Sequence, residues 1–258
     1  MIKLSYEPPF ELDLPVDNPW DGRHSVSLLI TPRSPPIADA AVDELRSSLA
    51  LFTALADAGG LSGSAAPPWK ATFKTPEVVV NQGVVNVRFA PADLDEKATA
   101  CLFCVLLSMH ESVPLGWVSL SASGSKKERA QSNPMLTNPY PGLWRDIPFP
   151  HEIEESESDT RILRAQFAKP LDAGEVEGVQ VDLRRWAGAA AAGLFAIAPY
   201  PPGDCGCLPV DSVECYQAEL IWPIEKCRFE HRAALTSLVS VCAAIHYRVA
   251  RIVDVTVE

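Results

Sequence analysis

The feature that most constrains this chain is a passage written twice. "SMHESVPLGWVSL", from Ser108, and "AAIHYRVARIVDVTV", from Ala243, share one design: the end of an apolar helix, a histidine in its last turn, a few linking residues and an alternating apolar strand. His110 and His246 hold corresponding places in the two copies. A chain that builds the same ending twice is expected to use one structural unit twice.

The residues before each copy follow a common order. In the first half, His24 to Thr31 reads as a strand closed by Pro32, and the lead before it carries Pro8, Pro9, Pro15 and Pro19, which argue against a regular element there. Asp39 caps a helix whose Ala41, Leu45, Leu49, Phe52, Leu55 and Ala56 recur at helical spacing up to Gly59-Gly60. Glu77 to Asn81 and Val84 to Phe89 flank Gln82-Gly83, as two strands across a tight turn or one strand with a bulge. Asp93, with Glu96 three residues on, resembles a capping box that opens a helix to about Ser112. That helix carries Ala98, Cys101, Leu102, Val105, Leu106 and Met109 on one face and further apolar residues elsewhere, so burial on most sides is expected.

The second half repeats the order. Arg161 to Phe167 reads as a strand, Gly174 to about Ile197 as a helix through Val179, Leu183, Trp186 and Leu194, and Val213 to Ile221 as a strand region. Glu230 to Val249 is a helix and Arg251 to Val257 the last strand. Two strand-helix-strand passages joined through their middle strands meet the requirement of a ferredoxin-like unit. The expected fold is therefore α+β: tandem duplicated ferredoxin-like (β-α-β-β-α-β) units with pseudo-two-fold symmetry, each an antiparallel sheet with helices on one face. The expected divisions are 1–122 for the first repeat, 123–159 for a linker and 160–258 for the second repeat.

Composition bounds the function. The 258 residues are 47% hydrophobic, ample for a buried core, and no window reaches the apolar length of a membrane span. The acidic, Pro-rich start differs from a secretory signal, and seven unpatterned cysteines suit reduced thiols, so a cytoplasmic location is expected. A net charge of −11, with Lys126-Lys127-Glu128-Arg129 as the basic run, disfavours nucleic acid and anionic membrane as partners and favours a basic protein.

No catalytic motif stands out. Gly60-Leu61-Ser62-Gly63-Ser64 lacks the final glycine of a nucleophile elbow and follows a helix instead of a strand. Cys101 and Cys104 have redox-pair spacing, but they lie inside an apolar helix where core packing is the expected role. Cys205, Cys207 and Cys215, with Cys227 and His231 beyond, lack paired zinc-knuckle spacing, and no metal or other cofactor is assigned. His110 and His246 suit structural capping at helix ends, with a cleft between the two repeats as the alternative.

The segment between the halves joins aromatics to acids: Tyr140, Trp144 and Phe149, then Glu152, Glu154, Glu155, Glu157 and Asp159. Aromatics supply buried anchors and acids supply steering, a combination suited to a basic protein surface. The leading expectation is a non-enzymatic binding protein that sequesters or regulates a basic partner. Its rivals are a small-molecule enzyme or ligand-binding protein and a structural subunit of a larger assembly.

Overall fold

A computed structural model describes residues 8–15, 18–61, 73–122, 127–129, 147–154, 160–195, 213–224 and 231–258. They form a mixed α+β structure with four helices and two sheets. The described residues divide into two compact units, the boundary falling after Thr53 within the first helix.

The first unit holds β1 (Glu11–Pro15), β2 (Val26–Pro32), most of α1 (Asp39–Asp57), β3 (Glu77–Asn81), β4 (Val84–Phe89), α2 (Glu96–Ser112), β5 (Leu115–Ala122) and β6 (Lys127–Arg129). Its sheet runs β3-β4-β2-β5-β1-β6. β2 is antiparallel to β4 and β5, and β1 lies parallel to β5. Val26, Leu28 and Ile30 alternate inward along β2, and Val85, Val87 and Phe89 do so along β4. Trp20 and Phe52 of α1 close on Phe89, with ring centroids 5.3 and 5.7 Å from it. Beneath α2, a cavity of about 10 Å³ is bounded by Leu12, Leu28, Leu120, Leu102, Phe103 and Leu106 among others. It is roughly the room of one water and almost wholly apolar, so it stays dry.

Two readings of this half need correction. The Pro-rich lead does contain a strand, because Leu12 and Leu14 alternate into the core while Pro15 falls at the strand end, where a missing N–H is tolerated. The cap of α2 is Asp95, whose carboxylate accepts the Lys97 N–H at 2.8 Å; Asp93 instead bridges to Asp21. The Gln82-Gly83 pair is a hairpin turn with φ of 51° and 80°, the left-handed pair that a two-residue connection with the strands' own twist requires.

The second unit takes the last turn of α1 from Ala54, then β7 (His151–Ile153), β8 (Arg161–Phe167), α3 (Ala173–Ala191), β9 (Glu214–Tyr216), β10 (Glu219–Ile224), α4 (His231–Arg248) and β11 (Ile252–Val257). Its sheet runs β7-β11-β8-β10-β9, with β8 antiparallel to β10 and β11, and β7 parallel to β11. Asp172 and Glu175 form a reciprocal capping box at the start of α3. Trp186 of α3 meets Trp222 of β10 edge to face at 5.7 Å and donates its Nε1–H to the Ala234 carbonyl of α4. The region from Val213 is a hairpin, β9 to β10, turning at Gln217 with a φ of 55°. β6 and β7 both lie in the 123–159 segment, which the sequence marks as a linker.

Candidate binding face

The two histidines hold matching posts. His110, in the last turn of α2, accepts the N–H of Leu115, the first residue of β5, on Nδ1 at 2.9 Å. His246, in the last turn of α4, sets its Nδ1 3.0 Å from the carbonyl oxygen and 3.1 Å from the nitrogen of Ile252, the first residue of β11. Phe10, just before β1, stacks on His110 at 5.5 Å, and Phe149, just before β7, stacks on His246 at 5.7 Å. At His110, accepting a backbone N–H requires an unprotonated Nδ1, so the neutral ring carries its proton on Nε2, whereas at His246 an Nδ1–H meets the Ile252 carbonyl. Burial, with Arg33 nearby, lowers the His110 pKa, and burial, with Arg251 nearby, lowers that of His246. Each histidine clasps the end of a helix to the start of the next strand.

Among the anchors and acids expected to touch a partner, Tyr140, Trp144, Glu155, Glu157 and Asp159 lie outside the described residues. Phe149 is buried and packs on His246. Glu152 projects from β7 into solvent, and the exposed Glu154 uses its backbone in structure: its N–H bonds Val257 O and its carbonyl accepts from buried Arg161.

Cys101, Cys104 and Cys242 are free and buried, and Cys215 is free and half-buried. Burial pushes the Cys101 thiol well up and that of Cys242 up to about 12, the opposite of what a reactive thiolate needs. Cys205, Cys207 and Cys227 lie outside the described residues; among those that are described, no three His, Cys, Asp or Glu side chains gather as metal ligands.

Strand periodicity builds the most distinctive surface. In β8, Leu163, Ala165 and Phe167 are buried while Ile162, Arg164 and Gln166 take the other face. Register carries that face across the sheet: Gln166 pairs with Asp254 on one side and Glu219 on the other, and Arg164 pairs with Thr256 and Ile221. Glu152 lies opposite Thr256, and Tyr216, 74% exposed, lies opposite Glu219 at the edge. Arg164 reaches Glu258 at 3.1 Å and Glu219 at 3.6 Å. Among the described residues the face thus presents Glu152, Glu219, Asp254 and Glu258 around Arg164, beside Ile162 and Ile221, with the tyrosine at its margin. Its potential is negative, and the arginine fixes two of the carboxylates in place.

Of these residues, sequence reading had singled out Glu152. Reading 162, 164 and 166 in alternation, and likewise 219, 221 and 223, would have set Arg164, Gln166 and Glu219 on one face together with Ile162, Ile221 and Pro223.

Two buried charge clusters also escaped the sequence reading. Lys97 is 1% exposed and its ammonium lies 3.1 Å from Asp95. Burial raises the Asp95 pKa to about 6 even though Lys97 pulls it down. In the second unit, Asp182 of α3 meets Arg248 of α4 at 2.8 Å and Arg185 at 3.1 Å, and Arg185 also binds Asp57 at the end of α1 at 2.8 Å. The second cluster ties α1, α3 and α4 to one another, while Asp95 and Lys97 pair within the first turn of α2. No protein-family model matches this chain, and no curated protein is similar to it.

Proposed function

We propose that this chain is a non-enzymatic binding protein that sequesters or regulates a basic protein partner, as an inhibitor or immunity protein does. The observation that carries the reading is the open face of the second sheet, where Glu152, Glu219, Asp254 and Glu258 surround Arg164 and exposed Tyr216 marks the edge. On a chain of net charge −11 such a face attracts a cationic surface from a distance, and the tyrosine offers an amphipathic contact at close range. The remaining acids of the run, Glu154, Glu155, Glu157 and Asp159, follow directly on β7, and Tyr140, Trp144 and Phe149 precede or adjoin it in sequence.

The scaffold is read as two ferredoxin-like units that arose by duplication. Strand order supports this: β5-β2-β4-β3 in one sheet and β11-β8-β10-β9 in the other run in the same chain sequence. Further support comes from the extra strand parallel to the last one in each sheet, and from the matched pairs Phe10 with His110 and Phe149 with His246. The absence of any helix long and apolar enough to cross a membrane, among the described residues, fits a partner reached in water, and the free thiols fit a reducing compartment.

The test is affinity capture from host lysate in low and high salt with three baits: the wild type, Glu152→Lys with Glu219→Lys, and Glu154→Lys with Glu155→Lys and Glu157→Lys. A basic protein retained by the wild type at low salt and lost with the face variant is the expected result. Retention unaffected by either variant, or no basic protein in any lane, would overturn the reading.

A further inference from the structure

The two histidine clasps look alike and differ in one contact. Around His110, Nδ1 has one backbone partner, the N–H of Leu115. Around His246, Nδ1 lies 3.1 Å from the Ile252 nitrogen and also 3.0 Å from the Ile252 carbonyl oxygen. We propose that the clasps therefore answer acid differently: protonation of His110 releases the Leu115 N–H and loosens the junction of α2 with β5, whereas protonated His246 keeps its strand by donating to the Ile252 carbonyl.

The chemistry follows from the ring. A proton on Nδ1 turns an acceptor into a donor, so an N–H that pointed at it loses its bond. At His110 the released amide begins β5, a central strand of the first sheet, and the new Nδ1–H faces that amide. At His246 an Nδ1–H donates to the Ile252 carbonyl at 3.0 Å in the neutral ring and in the imidazolium alike, so the titrating proton goes to Nε2 and the contact stays in place.

The surrounding charges reinforce the asymmetry. Arg33, whose N–H bonds Pro114 O and whose guanidinium bonds Pro9 O, disfavours a second positive charge beside His110, while Glu111 on the same helix favours it. Glu44 of α1 is engaged nearby with Ser112. Beside His246, Arg251 opposes the charge and the Ile252 carbonyl supports it, with the Tyr247 ring 5.0 Å away. The device is local, and it places acid sensitivity in the first unit.

The test is amide hydrogen exchange by NMR on the full chain between pH 7.5 and 4.5, corrected for intrinsic exchange and referenced to the Val87 and Leu163 amides. Below the histidine's titration point the neutral fraction falls about tenfold per pH unit, so Leu115 protection is expected to fall by about that factor per unit while Ile252 protection stays within about twofold. His110→Gln supplies a non-titrating acceptor and is expected to flatten the Leu115 response. Parallel loss at Leu115 and Ile252, or Leu115 protection that stays level while the His110 ring signals titrate, would overturn the proposal.

Discussion

The buried pair of Asp95 and Lys97 permits a prediction in which two single losses do not add and one of them depends on pH. The two side chains are 9% and 1% exposed and meet at 3.1 Å, and the other Asp95 oxygen caps α2 through the Lys97 N–H. Asp95→Ser keeps a capping oxygen but removes the carboxylate 3.1 Å from a buried ammonium, and about 3–5 kcal/mol of stability should be lost. Lys97→Met leaves a carboxylate that can escape by protonation, so its cost should depend on pH.

In the wild type, burial holds the Asp95 pKa at about 6 against an ordinary 3.8. The folded state therefore binds the extra proton in this window. The group contributes stability that is fully present below its unfolded value and is lost as pH rises through about 6. The gap corresponds to about 3 kcal/mol as an upper bound. Without Lys97 the carboxyl pKa climbs further, so Lys97→Met should be more damaging at pH 7.5 than at pH 5. The double change Asp95→Ser with Lys97→Met should recover most of the single losses, giving a coupling of about 2 kcal/mol or more. Urea unfolding of the four proteins at both pH values measures all of this. Additive single losses, or a Lys97→Met cost independent of pH, would refute the reasoning.

Other outcomes follow from the same contacts. A Cβ at Gly60 would stand 2.5 Å from Leu55 Cδ1 and 2.7 Å from Ser237 Oγ, so Gly60→Ala should cost about 1–3 kcal/mol in denaturant unfolding. Asp182→Asn should cost about 2–3 kcal/mol, below the full cost for a sealed pair because Arg185 and Arg248 are 35% and 24% exposed, and a Tm scan will register it. Of Cys101, Cys104, Cys215 and Cys242, native protein should alkylate first at Cys215, with the other three reacting only on unfolding, as peptide mass spectrometry will show.

Long periodic segments made most of the elements legible in the sequence. The four helices and the strands β2, β4, β5, β8 and β11 announce themselves by apolar spacing, and the histidine endings showed where helix gives way to strand. Short strands did not announce themselves. β1 is framed by prolines, and β7 is three residues within an acidic run; each exists because it pairs along a neighbouring strand's edge, a tertiary condition no local pattern records. The cap of α2 was misread because Asp93 and Asp95 are both chemically suitable, and the choice rests on which one the chain brings to the Lys97 N–H. That His110 and His246 end their helices was readable from their positions, but their bonds go to the strand that follows instead of to the helix carbonyls, and the phenylalanines packed on them come from distant sequence. The acidic face was only partly readable, because its members are spread over β7, β8, β10, β11 and the residue after β11 and meet only through strand register.

The most direct measurement is the affinity of the captured basic partner, by calorimetry over a series of salt concentrations, for the wild type and for a variant with Glu152→Gln, Glu219→Gln and Asp254→Asn. These changes remove charge from the open face with little change of shape. The account predicts binding that weakens with salt in the wild type, and weaker binding with a shallower salt dependence in the variant. Equal affinity and an equal salt slope for the two proteins would contradict it.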